Sequence, residues 1–460
     1  MRKKADTICA IATPQGRGGV GIVRLSGPES FAIAQRRCPP LPAPRQAALR
    51  SILDSQGQVL DQGLVLAFPG PQSFTGEDVV EIHAHGSPVV LNLIMESLVN
   101  AGARPAEPGE FSKRAYLNDR IDLVQAEAIA DLIDASTEQA ARAAGSSLQG
   151  AFSEQIHALV SDLTELRVYV EASLDFPDED VDFLADGQVA SRARGLLLKL
   201  DDVITKAKQG ARLMSGARVA LVGEPNAGKS SLLNALAQRE AAIVTEVAGT
   251  TRDVVTEHLD IDGLAVAVAD TAGLRETQDP VESIGIERAT QTMAQADLIV
   301  WVIDAQGLGD LGLSRQALMA HALFQDLQRD YPDLGDPQRV LPVVNKIDLM
   351  GGQPDHSEGV VWLSAKTMAG LDGLHQAISA RLGAAELSEG VFSARTRHLD
   401  ALDRARGFLA EGVAEITATG SGELLAQSLR SSSEALGEIT GQITADELLG
   451  QIFAGFCIGK

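Results

Sequence analysis

The sequence predicts a multidomain protein with an α+β N-terminal domain, an all-α helical domain and an α/β domain inserted into the helical one. Three patterns of apolar residues predict it. Residues 1–118 alternate short apolar runs with Gly and Pro, residues 119–215 and 384–460 space apolar residues by three and four, and residues 216–383 alternate strand-like and helix-like segments. A chain of 460 residues has room for about two to four domains.

The N-terminal zone contains apolar runs of strand length. They lie at residues 7–12, 21–25, 64–68 and 79–83, and Gly or Pro residues separate them. Residues 88–98 begin with Pro and are typical of one helix. Strands and a helix in this arrangement predict an α+β domain.

The helical zone is predicted from one continuous apolar stripe. Apolar residues recur at steps of three and four from residue 121 to residue 174, with a break near Gly145. Another helix is expected at 188–213, and the helical pattern returns after residue 382. One interrupted helical domain is our interpretation, and two independent helical domains stay an alternative that periodicity does not remove.

The zone from 216 to 383 opens with the strand-like run RVALVG at residues 218–223. Further runs of this kind lie at 265–269, 298–303, 340–344 and 360–363, with helix-like segments between them. Strands that alternate with helices predict a mostly parallel sheet.

Composition and charge exclude several classes of function. Hydrophobic residues make up 45% of the chain, which excludes wholesale disorder. The net charge is −23, because residues 1–120 carry 13 Lys and Arg against 11 Asp and Glu (+2) and the remainder carries 26 against 51 (−25). Since nucleic-acid affinity depends largely on Lys and Arg, the N-terminal part is the better candidate for contacting an anion unaided.

Cellular location is predicted from what the sequence lacks. No apolar run approaches the roughly 18 residues that a membrane span needs, and the apolar stretch after the basic N-terminus breaks too early for a secretory signal. The three cysteines form no CxxC pair, which argues for a reducing compartment. We therefore expect a cytoplasmic protein.

Residues 223–230 read GEPNAGKS and match the P-loop pattern GxxxxGK[ST], between a predicted strand and a predicted helix. The glycines let backbone N–H groups turn toward phosphates, and the helix N-terminus adds partial positive charge. Lys229 is expected to reach the β- and γ-phosphates, and Ser230 to ligate Mg²⁺. An ordinary glycine-rich turn is the alternative, and the strand and helix around the motif argue against it.

The base is predicted from two later motifs. Residues 345–348 read NKID, and the carboxylate of Asp348 can accept from both the N1–H and the 2-amino group of guanine. Adenine offers neither donor, and sites built on such a match reject the wrong ligand by about 10⁴–10⁵-fold. Ser364, Ala365 and Lys366 follow the next strand, where a backbone N–H would meet the guanine O6. The predicted ligand is GTP.

The motif DTAG at residues 270–273 ends another predicted strand. Asp270 is suited to support the Mg²⁺ ion indirectly, through the groups that ligate it. Gly273 can offer its N–H to the γ-phosphate. Thr250 or Thr251 can complete the Mg²⁺ shell. The order and spacing of these motifs predict a P-loop GTPase domain of the Ras-like type.

The residue after DTAG is Leu274, where Ras-like enzymes carry a glutamine that orients the attacking water. A leucine can neither orient water nor move a proton. The chain is therefore either a slow GTPase or one that uses another group, and the nearby candidates are Arg275, Glu276, Asp279 and Glu282. Each of these is, in the alternative, only a solvated charge.

Three further features are interpreted as structural. Residues 16–21 fit GxGxxG, but a strand rather than a helix follows them, which indicates a glycine-rich hairpin and not a dinucleotide site. His83 and His85 alternate on a strand without a third candidate ligand nearby, which argues against a metal site. Cys457 is more typical of a small hydrophobe than of a nucleophile.

The motifs GEPNAGKS, AGTTRD, DTAGLR, NKID, SAK and the terminal CIGK, in this order, resemble the bacterial tRNA-modification GTPase family MnmE, also called TrmE. The strings GRGGVGIVRLSG, FTGEDVVEIHAHGSP and PGEFSKRAYLNDRIDL resemble the first domain of that family, and LDFPDED resembles its helical domain. The resemblance covers the whole chain. The GTPase motifs alone would also fit a ribosome-assembly GTPase, whereas the N-terminal strings and CIGK separate the two families.

The resemblance implies a folate-binding N-terminal domain that dimerises, a helical domain and a GTPase domain inserted into it, at residues 1–118, 119–215 with 384–460, and 216–383. It implies a K⁺-stimulated GTPase that acts with the FAD protein MnmG. Together they would form the 5-(carboxymethyl)aminomethyl modification of the tRNA wobble uridine. A tetrahydrofolate derivative, 5-formyl- or 5,10-methylene-tetrahydrofolate, would supply the one-carbon unit.

The resemblance also implies roles for particular residues. Glu282 would orient the attacking water through a second water, and Arg275 is a weaker candidate for stabilising the same loop. The ligands of K⁺ would be Asn226, Thr245, Val247 and Thr250, and those of Mg²⁺ would be Ser230 and Thr251. The folate residues would be Arg24, Glu81, Arg120 and Lys460, with Cys457 nearby. The positions that would contact GTP are Asn226, Ala227, Gly228, Lys229, Ser230, Ser231, Thr245, Glu246, Val247, Ala248, Gly249, Thr250, Thr251, Asp270, Thr271, Ala272, Gly273, Asn345, Lys346, Asp348, Ser364, Ala365 and Lys366.

One segment departs from the family pattern. Residues 305–339 look longer than the usual connection, with a helix expected at 315–328. We expect a surface elaboration that leaves the site unchanged but can alter how two GTPase domains pair. Two other functions stay open: a ribosome-assembly GTPase, which the −25 balance of residues 121–460 disfavours, and a non-enzymatic folate-binding scaffold.

Overall fold

The computed structural model describes residues 6–175, 188–239, 256–270, 293–308, 314–330, 336–384, 391–442, 446–457 and 459. These residues divide into two compact units. Unit 1 comprises Met1–Ala130, Ser147–Asp202 and Asp400–Lys460, and unit 2 comprises Asp131–Ser146 and Val203–Leu399. The domain boundaries given above stay predictions.

The elements are numbered along the chain. The strands are β1 (Ile8–Ile11), β2 (Gly18–Ser26), β3 (Ala48–Leu53), β4 (Val59–Phe68), β5 (Val79–Gly86), β6 (Arg104–Pro105), β7 (Ala217–Val222), β8 (Thr256–Ile261), β9 (Leu264–Asp270), β10 (Leu298–Asp304), β11 (Val340–Asn345) and β12 (Val361–Trp362). The helices are α1 (Ser30–Arg37), α2 (Pro88–Asn100), α3 (Glu110–Leu117), α4 (Leu123–Asp134), α5 (Glu138–Leu148), α6 (Ala151–Asp175), α7 (Gln188–Ser215), α8 (Lys229–Arg239), α9 (Ala305–Leu308), α10 (Arg315–Met319), α11 (Ala322–Asp330), α12 (Leu371–Leu382), α13 (Thr396–Thr419), α14 (Gly422–Thr440) and α15 (Asp446–Ala454). Among the described helices, none has the length and apolar character needed to cross a membrane.

The sheet of unit 1 has the order β3-β4-β5-β2-β1-β6. All neighbours are antiparallel except the short β1–β6 pair. Alternate residues of its strands point to one face and pack there with α1 and α2 in an apolar core. The predicted α+β character of this region is confirmed, although the edge strand β3 has no counterpart among the predicted strands.

The other face of this sheet carries the residues of interest. Cross-strand partners share a face, so Leu66, Glu81, Arg24 and Ala10 form one row across β4, β5, β2 and β1. The neighbouring row runs Leu49, Leu64, His83, Ile22. Leu49 and Leu64 are 61% and 43% exposed.

The helices of unit 1 follow the predicted stripe. Helix α14 packs along α6, and the apolar positions of the stripe in α6 are buried: Phe152, Ile156, Leu159, Leu163, Leu166 and Val170. The break predicted near Gly145 lies elsewhere, because Gly145 is inside α5 and the helix ends before Gly150, which has φ of +99°. A left-handed glycine is a common helix terminator.

The sheet of unit 2 has the order β12-β11-β10-β7-β9-β8. Every neighbouring pair is parallel except β8–β9, which confirms the predicted α/β sheet. Both faces of the sheet are covered by separate apolar clusters. Parallel strands bring their carboxyl ends to one edge, where ligands bind in open α/β sheets.

The segment 305–339 is more than a surface elaboration. The helix expected at 315–328 is two helices, α10 and α11, interrupted at residues 320–321. Leu318 and Phe324 are buried in the cluster that covers one face of the sheet, and the Phe324 ring lies 5.2 Å from that of Trp301. The expectation was wrong on this point because the helical segment has apolar side chains at the spacing that packs against a sheet.

Candidate functional site

The P-loop lies between β7 and α8 and approaches two neighbouring strands closely. Gly223 has φ of +144°, and a Cβ placed there would come 2.1 Å from the Val302 carbonyl oxygen. Gly228 has φ of +97°, and its Cβ would come 2.3 Å from Nδ2 of Asn345. Only glycine satisfies both constraints, so the motif glycines let the loop fold tightly over the sheet edge.

Lys229 is the first residue of α8, and its side chain is buried. Its Nζ donates to the carbonyl oxygens of Gly223 (2.9 Å) and Glu224 (2.8 Å). The ammonium therefore lies inside the loop, beside the N–H groups of the helix N-terminus. Ser230 and Ser231 follow it on the exposed first turn. Such an arrangement is suited to an anionic phosphate group.

Asn345 joins the three loops that the motifs occupy. Its buried amide donates from Nδ2 to the Ala227 carbonyl oxygen (3.0 Å), and its Oδ1 accepts from the backbone N–H of Lys346 (2.8 Å) and of Ala365 (3.0 Å). The structure thereby brings GEPNAGKS, NKID and SAK together at one edge of the sheet. The hydrogen bonds of one amide fix the distances among them.

The base side of the site is built from short turns. Asp348 lies exposed in a 3₁₀ turn, Ile347–Met350, directly after β11. Ser364 is buried, and its Oγ accepts from the backbone N–H of Thr367 (3.3 Å), which shapes the loop that carries Ala365 and the exposed Lys366. Asp348 is therefore open to a ligand at the same edge as the P-loop.

Asp304 is a residue that the sequence analysis missed. It ends β10 in direct register with Asn345, and its Oδ2 accepts from Nζ of Lys346 at 2.7 Å. Its Oδ1 accepts from the backbone N–H of Gln306 at 3.0 Å. Lys346 itself has φ of +66°, so the ion pair holds a lysine that stands in a strained turn. In the sequence, only its place directly after the predicted strand 298–303 pointed to Asp304.

We expect Asp304→Asn to weaken GTP binding by about three- to tenfold, the effect of losing one half-exposed ion pair. The asparagine keeps the Oδ1 acceptor for Gln306 and removes only the charge that holds Lys346. Titration calorimetry with GTP measures the change. Asp336→Asn, at an exposed carboxylate that caps a neighbouring turn, is the matched control, and equal affinities in the two variants would contradict the role of Asp304.

Asp270 ends β9 opposite Leu221 of β7. The backbone of the DTAG motif therefore begins one strand away from the P-loop, as predicted from the shared strand-end placement. Several predicted site positions lie outside the described residues: Thr245, Glu246, Val247, Ala248, Gly249, Thr250, Thr251, Thr271, Ala272, Gly273, Arg275, Glu282 and Lys460. Their roles stay predictions.

A second group of predicted residues lies on the open sheet face of unit 1. Arg24 and Glu81 are direct cross-strand partners, and Nε of Arg24 donates to Oε1 of Glu81 at 3.0 Å. The guanidinium of Arg24 also stands over the rings of Phe74 (5.5 Å) and Phe111 (5.7 Å). Phe111 is fully buried and Phe74 partly buried, so the two rings hold the Arg24 guanidinium in place beside Glu81.

Arg120 approaches the same loop from the other side. Gly76 has φ of +77°, and a Cβ there would lie 3.2 Å from Cγ of Arg120. The stem of Arg120 therefore follows the loop of residues 74–77, which carries Phe74. The terminal segment arrives beside β1, because a Cβ on Gly459 would lie 2.3 Å from the Ile11 carbonyl oxygen. Cys457 nearby is exposed.

An ion-pair network that the sequence did not reveal supports this loop. Glu77 accepts from Ser26 Oγ at 2.7 Å and pairs with Arg114 at 3.1 Å. Arg114 and Arg104 also pair with Asp6. The hydrogen bond from Arg104, with a further one from Arg114, holds the pKa of Asp6 down at about 2. The partners are too far apart in sequence to form a local motif.

The glycine-rich hairpin and the two histidines lie in the sheet of unit 1, whereas Cys457 is exposed and does not pack as a small hydrophobe. Gly18 and Gly21 lie in β2, which pairs antiparallel with β1, so a hairpin replaces a dinucleotide fold. His83 lies 3.2 Å from Glu81 Oε2, whereas His85 pairs with Asp61. Within the part of the chain that the structure describes, no group of three or more His, Cys, Asp or Glu could hold a metal ion.

Comparison with known proteins identifies the family. The model "MnmE helical domain" matches residues 123–457, and the model "GTP-binding protein TrmE N-terminus" matches residues 7–120. The tRNA modification GTPase MnmE of Ectopseudomonas mendocina (strain ymp) is 51% identical over 465 residues, with 100% of both chains covered. The MnmE of Chromohalobacter salexigens is also 51% identical, covering 99% of this chain and 98% of its own. The chain belongs to the MnmE family of tRNA modification GTPases.

The two family models together match residues 7–120 and 123–457. The helical-domain match includes residues on both sides of the α/β sheet, and one interrupted helical domain stays a prediction. Among solved structures, the G domain of T. maritima FeoB is 24% identical and covers 36% of this chain and 98% of its own, with a TM-score of 0.25. An overlap that small does not bear on function.

Proposed function

We propose that this chain is a K⁺-stimulated GTPase that works with the FAD protein MnmG. Together they form the 5-(carboxymethyl)aminomethyl group on the tRNA wobble uridine, with a tetrahydrofolate derivative as the source of one carbon. The observation that carries the proposal is the set of hydrogen bonds from Asn345, which joins the P-loop to NKID and SAK in an MnmE-family chain. The site of action is the cytoplasm.

The described residues fit GTP. The ammonium of Lys229 and the N-terminus of α8 supply positive charge for the phosphates, and Asp348 supplies the acceptor for guanine. The Ser230 hydroxyl stands exposed at the position of a Mg²⁺ ligand, with Thr251 as the second. Mg²⁺ would neutralise charge on the β- and γ-oxygens when bound.

The proposed K⁺ site depends on Asn226, with Thr245, Val247 and Thr250. Asn226 has φ of +64° and is exposed within the P-loop. Asparagine tolerates this conformation better than most residues, and its carbonyl is an oxygen ligand beside the phosphates. A cation there would stabilise transition-state charge, the task of an arginine finger in other GTPases.

Turnover in matched salts tests this proposal. We expect the purified chain to hydrolyse GTP at least about tenfold faster in KCl than in NaCl, because a cation must fit the oxygen ligands beside the phosphates. ATP in both salts is the control for base recognition. Equally slow GTP hydrolysis in KCl and NaCl would contradict the K⁺ mechanism but not the proposed guanine site.

The folate part of the proposal depends on Arg24, Glu81, Arg120 and Lys460. Arg24 pairs with Glu81 and stands over the rings of Phe74 and Phe111, and Arg120 reaches the loop that carries Phe74. A carboxylate in this place can accept from the N–H donors of a pterin, and an arginine can pair with the glutamate of the cofactor. One-carbon chemistry belongs to the folate; the protein binds and orients it.

The proposed homodimer is supported by the open sheet face. The row that contains exposed Leu49 and Leu64 lies directly beside the row that contains Arg24 and Glu81. Exposed apolar side chains gathered on one sheet face are typical of an interaction surface. The tRNA is contacted mainly through MnmG, since residues 121–460 carry a balance of −25.

A further inference from the structure

A pocket of about 440 Å³ lies in unit 1, where the end of α3 meets α6 and the C-terminal end of α14. Arg120, His157 and Thr440 are among the residues that line it. The Tyr116 hydroxyl donates to the Gly441 carbonyl oxygen at 2.7 Å and so ties the end of α14 to α3. Except for Arg120, none of these residues has a part in the proposed chemistry.

Thr440 is a buried polar residue in the lining of this pocket. The residue is 3% exposed, and its Oγ1 makes no hydrogen bond to any described residue. Buried hydroxyls are nearly always hydrogen-bonded, and leaving one unpaired costs free energy of folding. Thr440 lines the pocket, so a bound group that reached its hydroxyl would offset this cost.

The rim of the pocket carries charges of both signs. Arg120 and His157 are exposed, and neither makes an ion pair or a side-chain hydrogen bond with another described residue. Asp119 and Asp122 stand beside them, and Asp122 uses Oδ1 to accept from the backbone N–H of Gln125 at 2.8 Å. The pocket therefore offers a guanidinium, an imidazole and carboxylate acceptors within one small volume.

Arg120 connects the pocket to the proposed folate residues. Its stem packs against Gly76 in the loop that also carries Phe74, the ring on which Arg24 stacks, whereas the residue itself lines the pocket. A ligand whose ring lay at Arg24 and whose anionic end reached Arg120 would continue into the pocket.

We propose that this pocket receives the chain of γ-linked glutamates of a polyglutamylated tetrahydrofolate, an inference that rests on the proposed folate function. Each added glutamate brings one carboxylate, one amide N–H and one carbonyl oxygen. Arg120 and His157 match the carboxylates, Asp119 matches an amide N–H, and the Thr440 hydroxyl can donate to a carbonyl or carboxylate oxygen. The mixed charge of the rim suits such a chain better than it suits a bare polyanion.

Calorimetry on the full chain with the monoglutamate and the triglutamate of 5-formyl-tetrahydrofolate tests the proposal. We expect the triglutamate to bind about tenfold more tightly, as one or two charge-assisted hydrogen bonds allow. His157→Ala and Thr440→Val are expected to lose this advantage and to bind the monoglutamate as the wild type does. Val168→Ala, at an exposed position of α6 outside the pocket, is the matched control and should keep it.

The outcomes separate the two proposals. Equal affinity of both ligands for the wild type would overturn the pocket assignment and leave the folate function intact, whereas no binding of either would overturn both. The melting temperature of Thr440→Val is a second measurement. Replacing an unpaired buried hydroxyl by a methyl group should leave that temperature unchanged or raise it. A triglutamate advantage that survived in both pocket variants would also contradict the proposal.

Discussion

Glu282→Ala is expected to leave GTP affinity unchanged and to lower turnover by about 10²–10⁴-fold, the usual contribution of a group that activates the nucleophile. Leu274 stands where a Ras-like enzyme carries its water-orienting glutamine, so efficient hydrolysis would need another side chain for this task. Asp270 places the start of this segment beside the P-loop strand. Single-turnover hydrolysis in KCl, with GTP affinity measured separately, separates chemistry from binding.

The same segment supplies matched controls. Glu276 and Asp279 are acids within six residues of Glu282, and Glu276→Ala and Asp279→Ala should hydrolyse GTP at the wild-type rate if Glu282 alone orients water. Glu282→Gln keeps a hydrogen-bonding side chain without the charge and should recover part of the rate. Wild-type turnover in Glu282→Ala would show that the assignment is wrong. If turnover fell only in Asp279→Ala or only in Glu276→Ala, the water-orienting role would belong to that residue instead.

The elements that periodicity could define were predicted well. The mostly parallel sheet of unit 2 and the long apolar stripe of α6 both agree with the sequence patterns, because burial on one face leaves a repeat in the sequence. Breaks were less predictable. The helix boundary lies at Gly150 rather than Gly145, and only the left-handed conformation of one glycine, which depends on its surroundings, distinguishes them.

The candidate nucleotide site was predictable because its parts are contiguous motifs. Lys229, Asn345 and Ala365 come together at the sheet edge where parallel strands end. The Asp304–Lys346 pair and the pairs of Arg114 with Glu77 and Asp6 were not predictable, since the partners lie 42, 37 and 108 residues apart. Such pairs form only when the chain folds, and no local spacing in the sequence predicts them.

Asp348→Asn is expected to lower GTP affinity by about 10⁴–10⁵-fold, the range for sites built to hydrogen-bond a specific polar group. The carboxylate can accept from both N1–H and the 2-amino group of guanine, whereas the amide offers one acceptor and one donor. Xanthine presents N1–H beside a 2-carbonyl oxygen, so the variant should gain affinity for XTP as it loses GTP. Because Asp348 is exposed in its turn after β11, the substitution should leave the fold unaffected.

Competition of GTP, ITP and XTP against a fluorescent GDP measures this exchange. ITP lacks the 2-amino group, so the wild type should bind it more weakly than GTP, and Asp348→Asn should bind the two alike. Asp372→Asn, at a carboxylate 82% exposed at the start of α12, is the control and should keep the wild-type order. Unchanged preference for GTP over XTP in Asp348→Asn would mean that another group reads the base, because no amide can replace a double acceptor without reversing one hydrogen bond.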